Sequence, residues 1–157
     1  MEIETQPLTA AAFAPYGDVI DVPNEPGRTY YEDALGNLRP SARASLSLSF
    51  RLPTTETPLE AKLLERHEFS SQTFVPIDAA RWLIVVAPHA RDGGPDTGAI
   101  EAFIATGRQG VTYRANTWHH GLTTLDRPGR FAVFMWRDGT EGDEEFVPVA
   151  PFTIRIP

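Results

Sequence analysis

Alternation of apolar and polar residues is the most regular signal along this chain. From Ala44 to Phe50, Leu46, Leu48 and Phe50 interleave with Ser45, Ser47 and Ser49. A period of two sends successive side chains to opposite faces of a strand, so the segment predicts a half-exposed strand of an antiparallel sheet. Phe152 to Ile156 alternates in the same way. Arg81 to Ala87 and Phe131 to Trp136 are apolar at nearly every position, and the first reads as a central strand buried on both faces. Further strands are expected at Ile3 to Thr5, as an edge, at Asp18 to Val22, at Ala99 to Thr106, and on either side of Asn116 at Val111 to Ala115 and Trp118 to Leu122. One short helix is expected over Ala10 to Ala14, with Thr9 as its N-cap, Leu8 and Phe13 spaced as a hydrophobic staple, and Pro15 and Gly17 ending it. Short strands with frequent turn signals indicate an all-β barrel or sandwich with a minor helix.

A strand over residues 62 to 69 departs from this plain patterning. It would place Leu63, Glu65, His67 and Phe69 on one face and Lys62, Leu64, Arg66 and Glu68 on the other, the second being the face suited to water. The first carries a carboxylate and an imidazole between apolar ends. Burying such groups is costly unless they meet a ligand, a metal or each other. That pattern points to a site inside a sheet or barrel.

The 157 residues suffice for one core and one domain, residues 1–157. A net charge of -7, with thirteen scattered arginines outnumbered by acids, argues against nucleic acid and against an anionic membrane surface. No apolar run is long enough to span a bilayer, and Met1-Glu2-Ile3-Glu4 lacks the pattern of a signal peptide. These features lead to the expectation of a soluble cytoplasmic protein. Absence of cysteine removes disulfides, thiol nucleophiles and cysteine zinc sites. Any metal would need His, carboxylate, amide or water ligands. The single lysine, Lys62, falls on the face away from the expected site, which disfavours Schiff-base chemistry. The acidic run Glu141 to Glu145 reads as a solvated loop.

Two segments hold three of the four histidines: Leu64 to Pro76, and Gly110 to His120. His67 is either a hydrogen-bonded core histidine or a functional one, and Glu65 beside it favours function, because a buried acid seldom persists without a partner or a role. In Trp118-His119-His120, alternation sends His119 to the side of Thr117 and Gly121, and His120 to the side of Trp118 and Leu122. The small neighbours favour His119 as the functional one, with His120 the other choice. His89, in a Gly/Pro-rich loop, reads as a surface residue. One of Arg66, Arg114 or Arg39 reaching into the cavity would hold a substrate carboxylate bidentately.

Glu65, His67 and Gln72 stand where a cupin barrel has His, His and Glu in its first motif, and His119 stands at the histidine of its second. More closely, Leu64 to Pro76, Ala102-Phe103 with Gly110 to Tyr113 and Asn116 to His120, and the opening Pro7-Leu8-Thr9 with Ala12 to Ile20 resemble the ureidoglycolate lyase family. The resemblance implies a cupin-like double-stranded β-helix barrel, or jelly roll, and a homodimer. It implies cleavage of ureidoglycolate to glyoxylate and urea in purine (allantoin) breakdown, and a divalent metal, nickel or another first-row ion. Catalysis would fall to His119 or His67 as base, with Glu65 as acid or as the group orienting the imidazole. Arg114, then Arg66, would hold the carboxylate, with Gln72 on the ureido group and His120 also in the substrate site. A metal would bind Glu65, His67, Gln72 and His119. Two departures from the family pattern stand out: Arg39-Pro40-Ser41-Ala42 keeps an arginine but lacks the following acid, and the late strand reads Met135-Trp136-Arg137-Asp138. The rival readings are a paralogous cupin lyase or hydrolase on another small hydroxy or keto acid, and a non-catalytic acid-binding cupin. Glu65 and His67 satisfied only by one another would favour the second.

Overall fold

In the computed structural model, which describes residues 1–157, the hydrophobic runs form twelve strands and one short helix. In chain order they are β1 (Glu2–Pro7), α1 (Ala10–Phe13), β2 (Gly17–Asp21), β3 (Arg43–Arg51), β4 (Leu59–His67), β5 (Gln72–Asp78) and β6 (Trp82–Ala87). After a single 3-10 turn at Thr97–Ala99 come β7 (Glu101–Ala105), β8 (Gln109–Tyr113), β9 (Trp118–His119), β10 (Thr123–Thr124), β11 (Gly129–Arg137) and β12 (Glu144–Arg155). The Thr9 side chain accepts from the Ala12 N–H at the start of α1, and Leu8 and Phe13 are both buried in one core, as the staple requires. No helix is long and apolar enough to cross a membrane.

The strands build two sheets. A five-stranded antiparallel sheet runs β2-β8-β5-β11-β3. A seven-stranded sheet runs β10-β6-β7-β1-β12-β4-β9, and because β9 pairs with β6 as well as with β4, it closes on itself. Closure gives the chain two interiors. Leu59, Ala61, Leu64, Trp118, Phe152 and Ile154 pack inside the ring, and Phe13, Phe74, Phe103, Val111 and Phe131 pack between the sheets. Strand β6 feeds both, with Trp82, Ile84 and Val86 in one core and Leu83, Val85 and Ala87 in the other. This is the physical reason for its unbroken apolar run. The architecture is the expected cupin-like jelly roll.

Four local expectations change. Strand β1 is internal, pairing in parallel with both β12 and β7. Strand β3 presents Leu46, Leu48 and Phe50 to solvent, at 72%, 76% and 53% exposure, and turns its serines inward. In β4 the alternation slips: Lys62 and Leu63 are both exposed, opposite a register shift in β12 between Pro148 and Phe152. Leu64 therefore lies inside the ring, and Arg66 lies over the Trp118 ring at 4.5 Å, so their face of β4 is a second interior and not a solvent face. Finally, the acidic run enters β12, and Asp143 is buried.

Candidate active site

A cavity of about 680 Å³ lies between β4 and the β3–β11 arm of the five-stranded sheet. Its walls include Ser45, Ser47 and Ser49 of β3, Met135 and Arg137 of β11, Gln72 of β5, and His120 to Thr123. Leu63 and Glu65 of β4 complete it. The β3 serines line this cavity while Leu46 and Phe50 stand on the strand's other side, and Leu48 borders both. Gly110 is required for the sheet behind it, because a Cβ there would come 2.5 Å from the Phe74 carbonyl oxygen.

Glu65 does not meet His67; it meets His119. His119 Nε2 lies 3.3 Å from Glu65 Oε1 and 3.1 Å from Gln72 Oε1, and its Nδ1 lies 2.9 Å from the Thr117 carbonyl oxygen. A carbonyl only accepts, so Nδ1 is the donor to Thr117, and Nε2 faces the Glu65 and Gln72 oxygens. His119 is 1% exposed and stacks on Tyr113 at 4.2 Å and 14°. It therefore sits one layer behind the cavity surface that Glu65 and Gln72 form. His120 is the histidine at the cavity. Because β9 ends at His119, the alternation that separated the pair stops there. The His120 Nδ1 lies 3.1 Å from the Gly121 carbonyl oxygen, leaving Nε2 without a protein partner.

Electrostatics divide these groups. Burial raises the Glu65 carboxyl, but the His119 hydrogen bond and the charges of His119, His67 and His120 outweigh it, holding Glu65 below the ordinary value. Burial lowers both His67 and His120, which favours their neutral forms at neutral pH. Burial, then the Glu65 charge, pushes the Tyr113 phenol upward.

A smaller cavity of about 210 Å³ adjoins the first, sharing Gln72, Met135, Arg137 and Glu144 with it. His67, Asp143 and Arg39 line it. Asp143 Oδ1 accepts from the Phe69 N–H at 2.6 Å, its Oδ2 lies 3.6 Å from His67 Nδ1 and 3.6 Å from Arg39 Nη2, and Arg39 pairs with Asp138 at 2.8 Å. The acid missing after Arg39 is thus supplied from the end of β11. Asp143 escaped the sequence reading because only the β12–β4 pairing brings Glu144 opposite His67.

The ureidoglycolate lyase family model matches residues 1–155. The chain belongs to that family. A putative ureidoglycolate lyase of Agrobacterium fabrum is 40% identical over 98% of this chain and 95% of its own length. A ureidoglycolate lyase of Pseudomonas entomophila is 36% identical over 97% and 95%. Among solved structures, a dTDP sugar isomerase of Desulfovibrio desulfuricans aligns over 84% of this chain and 82% of its own, with a TM-score of 0.51 and 16% identity, a likeness of fold.

Within this member of the family, several expected site residues are placed elsewhere. Arg114 is exposed, and its guanidinium reaches the carbonyl oxygens of Ala14 and Pro15. Arg66 is held by Glu145 and Asn116. Neither lines the larger cavity; Arg137 and Arg51 do, and neither of those takes part in an ion pair. His89 is exposed, with Nε2 bracing the Asn116 carbonyl at 2.7 Å, where the backbone turns with φ 71°. For the implied metal set, His119, Glu65 and Gln72 converge, while His67, with its ring centre 6.0 Å from that of His119, turns Nδ1 toward Asp143 Oδ2 at 3.6 Å. No group of three His, Cys, Asp or Glu side chains is arranged to hold a metal ion. One imidazole, one carboxylate and one neutral amide are a weak first-row set. The residues as placed do not fit a preformed metal centre, so the chemistry below is assigned to side chains alone.

Proposed function

We propose that this protein is a carbon–nitrogen lyase that cleaves ureidoglycolate to glyoxylate and urea, within allantoin and purine breakdown in the cytoplasm. The observation carrying the residue assignment is Glu65, held ionised at the cavity wall by a histidine that does not itself reach the cavity.

In ureidoglycolate the hydroxyl and the departing nitrogen share one carbon. The Glu65 carboxylate takes the hydroxyl proton as the carbon–oxygen double bond forms and the carbon–nitrogen bond breaks, then returns that proton to the urea nitrogen. One carboxyl, with two oxygens, serves both ends of the transfer, and the proton count closes. His119 is a positioning residue that keeps Glu65 ionised between turnovers. Arg137 holds the substrate carboxylate, the Gln72 amide hydrogen-bonds the ureido group, and the His120 Nε2 accepts from the substrate. Glu65 bonded to His119, with both His67 ring nitrogens unpartnered, is the opposite of the arrangement that would favour a non-catalytic module.

We also propose a homodimer, formed through the outer face of the five-stranded sheet. Leu46, Leu48 and Phe50 stand there beside Phe134 and Trp136. Together they offer on the order of 400 Å² of apolar surface, about half of the ~800 Å² that each partner buries in a standard interface. A second copy suits this face because a two-fold axis sets the same apolar patch against itself.

Glyoxylate release from ureidoglycolate by the purified protein tests the activity, with Glu65→Gln beside it. The expected result is turnover by the wild type and a loss of about 10²-fold or more in the variant. Full activity in Glu65→Gln overturns the assignment. Samples treated with chelator, with and without metal restored, should keep the wild-type rate.

A further inference from the structure

We infer that Glu144 recognises the ureido end of the substrate, its carboxylate accepting hydrogen bonds from the terminal amide nitrogen. The inference rests on the lyase reading and adds to it a residue that sets specificity.

The charged side chains on the wall of the larger cavity are Glu65, Arg51, Arg137 and Glu144. Glu65 is engaged by His119. Glu144 is exposed at the cavity and enters no ion pair. Strand pairing puts it there. In the β12–β4 register Glu144 lies opposite His67 and Phe146 opposite Glu65. Residues directly opposite in an antiparallel pair share a face, so Glu144 and Glu65 are diagonal neighbours on one face, with backbones about 7–8 Å apart. The Glu144 carboxyl is raised above its ordinary value, first by partial burial and then by the Glu65 and Glu141 charges, while Arg137 opposes the shift and Asp143 adds to it. Glu65 and Arg137 therefore both act on Glu144 across the same space.

Arg137 ends β11 and Glu144 begins β12. They flank one short connection and both line both cavities, yet they do not pair with each other. A cation and an anion thus face the same opening with their charges unspent. Ureidoglycolate has the complementary ends: a carboxylate that only accepts, and a terminal NH2 that donates. With the carboxylate on Arg137 and the NH2 on Glu144, the reacting carbon falls between them, before Glu65. Gln72 does not serve that NH2, because its oxygen lies 3.1 Å from His119 Nε2 and leaves its own N–H groups for the ureido carbonyl. A hydroxy acid with no donor at this end covers the Glu144 carboxylate without satisfying it, and a site built around a hydrogen bond rejects an analogue that lacks it.

Two analogues that do not react test this by titration calorimetry. N-carbamoylglycine is ureidoglycolate without the hydroxyl, and N-acetylglycine carries a methyl group where N-carbamoylglycine has its terminal NH2. The wild type should bind N-carbamoylglycine about tenfold or more tightly than N-acetylglycine, as expected for a hydrogen bond to a charged acceptor. Glu144→Gln should cut that preference to about threefold or less and bind N-acetylglycine at least as tightly as the wild type, which also shows that the variant is folded. In turnover, Glu144→Gln should raise KM for ureidoglycolate with kcat little changed. Equal affinity of the wild type for the two analogues, binding of neither, a preference that survives Glu144→Gln, a loss of both analogues alike in that variant, or a turnover defect confined to kcat overturns the inference. A wild type that prefers N-carbamoylglycine through Glu144 but releases no glyoxylate from ureidoglycolate would instead overturn the lyase reading and keep the ureido site.

Discussion

Replacing His119 with Phe separates a residue that acts through Glu65 from one that meets the substrate. The phenyl ring keeps the volume and the stack on Tyr113, and removes both ring nitrogens, so Glu65 loses its partner at 3.3 Å while its burial is unchanged. A hydrogen bond to a charged group contributes about 1.5–3 kcal/mol. At 1.36 kcal/mol per pK unit, its loss should move the acid limb of the kcat profile upward by about one to two pH units. The wild-type limb starts low because Glu65 is held below its ordinary value. The variant should therefore lose about tenfold or more in mildly acidic buffer and recover most of its rate at alkaline pH, where Glu65 is ionised without help. The assay is glyoxylate release at saturating ureidoglycolate across the pH range, with Glu65→Gln as the variant that does not recover. A His119→Phe rate that is low at every pH, with no alkaline recovery, would refute the positioning role and make His119 the base. An unmoved acid limb would refute the coupling to Glu65.

Other outcomes follow from the same geometry. Arg137→Gln should raise KM by about tenfold or more with kcat little changed, whereas Arg114→Ala should alter neither, as steady-state kinetics will read. Stability should fall on acidification: His67 and His120 are depressed in the folded chain, so below their ordinary value of 6.5 the unfolded chain takes up protons that the folded chain does not. Thermal unfolding midpoints should drop as pH falls through 6.5, and His67→Asn should flatten that slope; a midpoint independent of pH down to about 5 would contradict the burial of neutral imidazoles. The contribution of Glu65, with its lowered value, persists above 4.5 and is lost only as pH falls through the folded value below that. Leu48→Asp should convert a dimer to a monomer in light scattering, and a wild type that is already monomeric would remove the proposed interface.

Local rules written into the sequence determined much of this protein. Thr9, Leu8 and Phe13 specify the start of α1 through contacts within one turn. The run from Trp82 to Ala87 specifies a strand buried on both sides, and Glu65 and His67 mark β4 as the strand that carries polar groups inward. Motif resemblance in Leu64 to Pro76 and Gly110 to His120 reached the family and the jelly roll. Tertiary structure decided which of these groups meet. Periodicity fixes that Leu46 and Ser47 face opposite ways, but not which face is covered; that depends on β3 lying at the sheet edge, over the cavity. Glu65 bonds His119, not His67, because β9 closes the ring directly beside it. Arg137 and Arg51 line the cavity and Arg114 does not, because strand ends, not sequence neighbours, converge on it. Asp143 looked like solvated charge until the β12–β4 pairing, joining residues more than seventy positions apart, laid it against His67. Those are non-local contacts, and a single sequence carries no local signal for them.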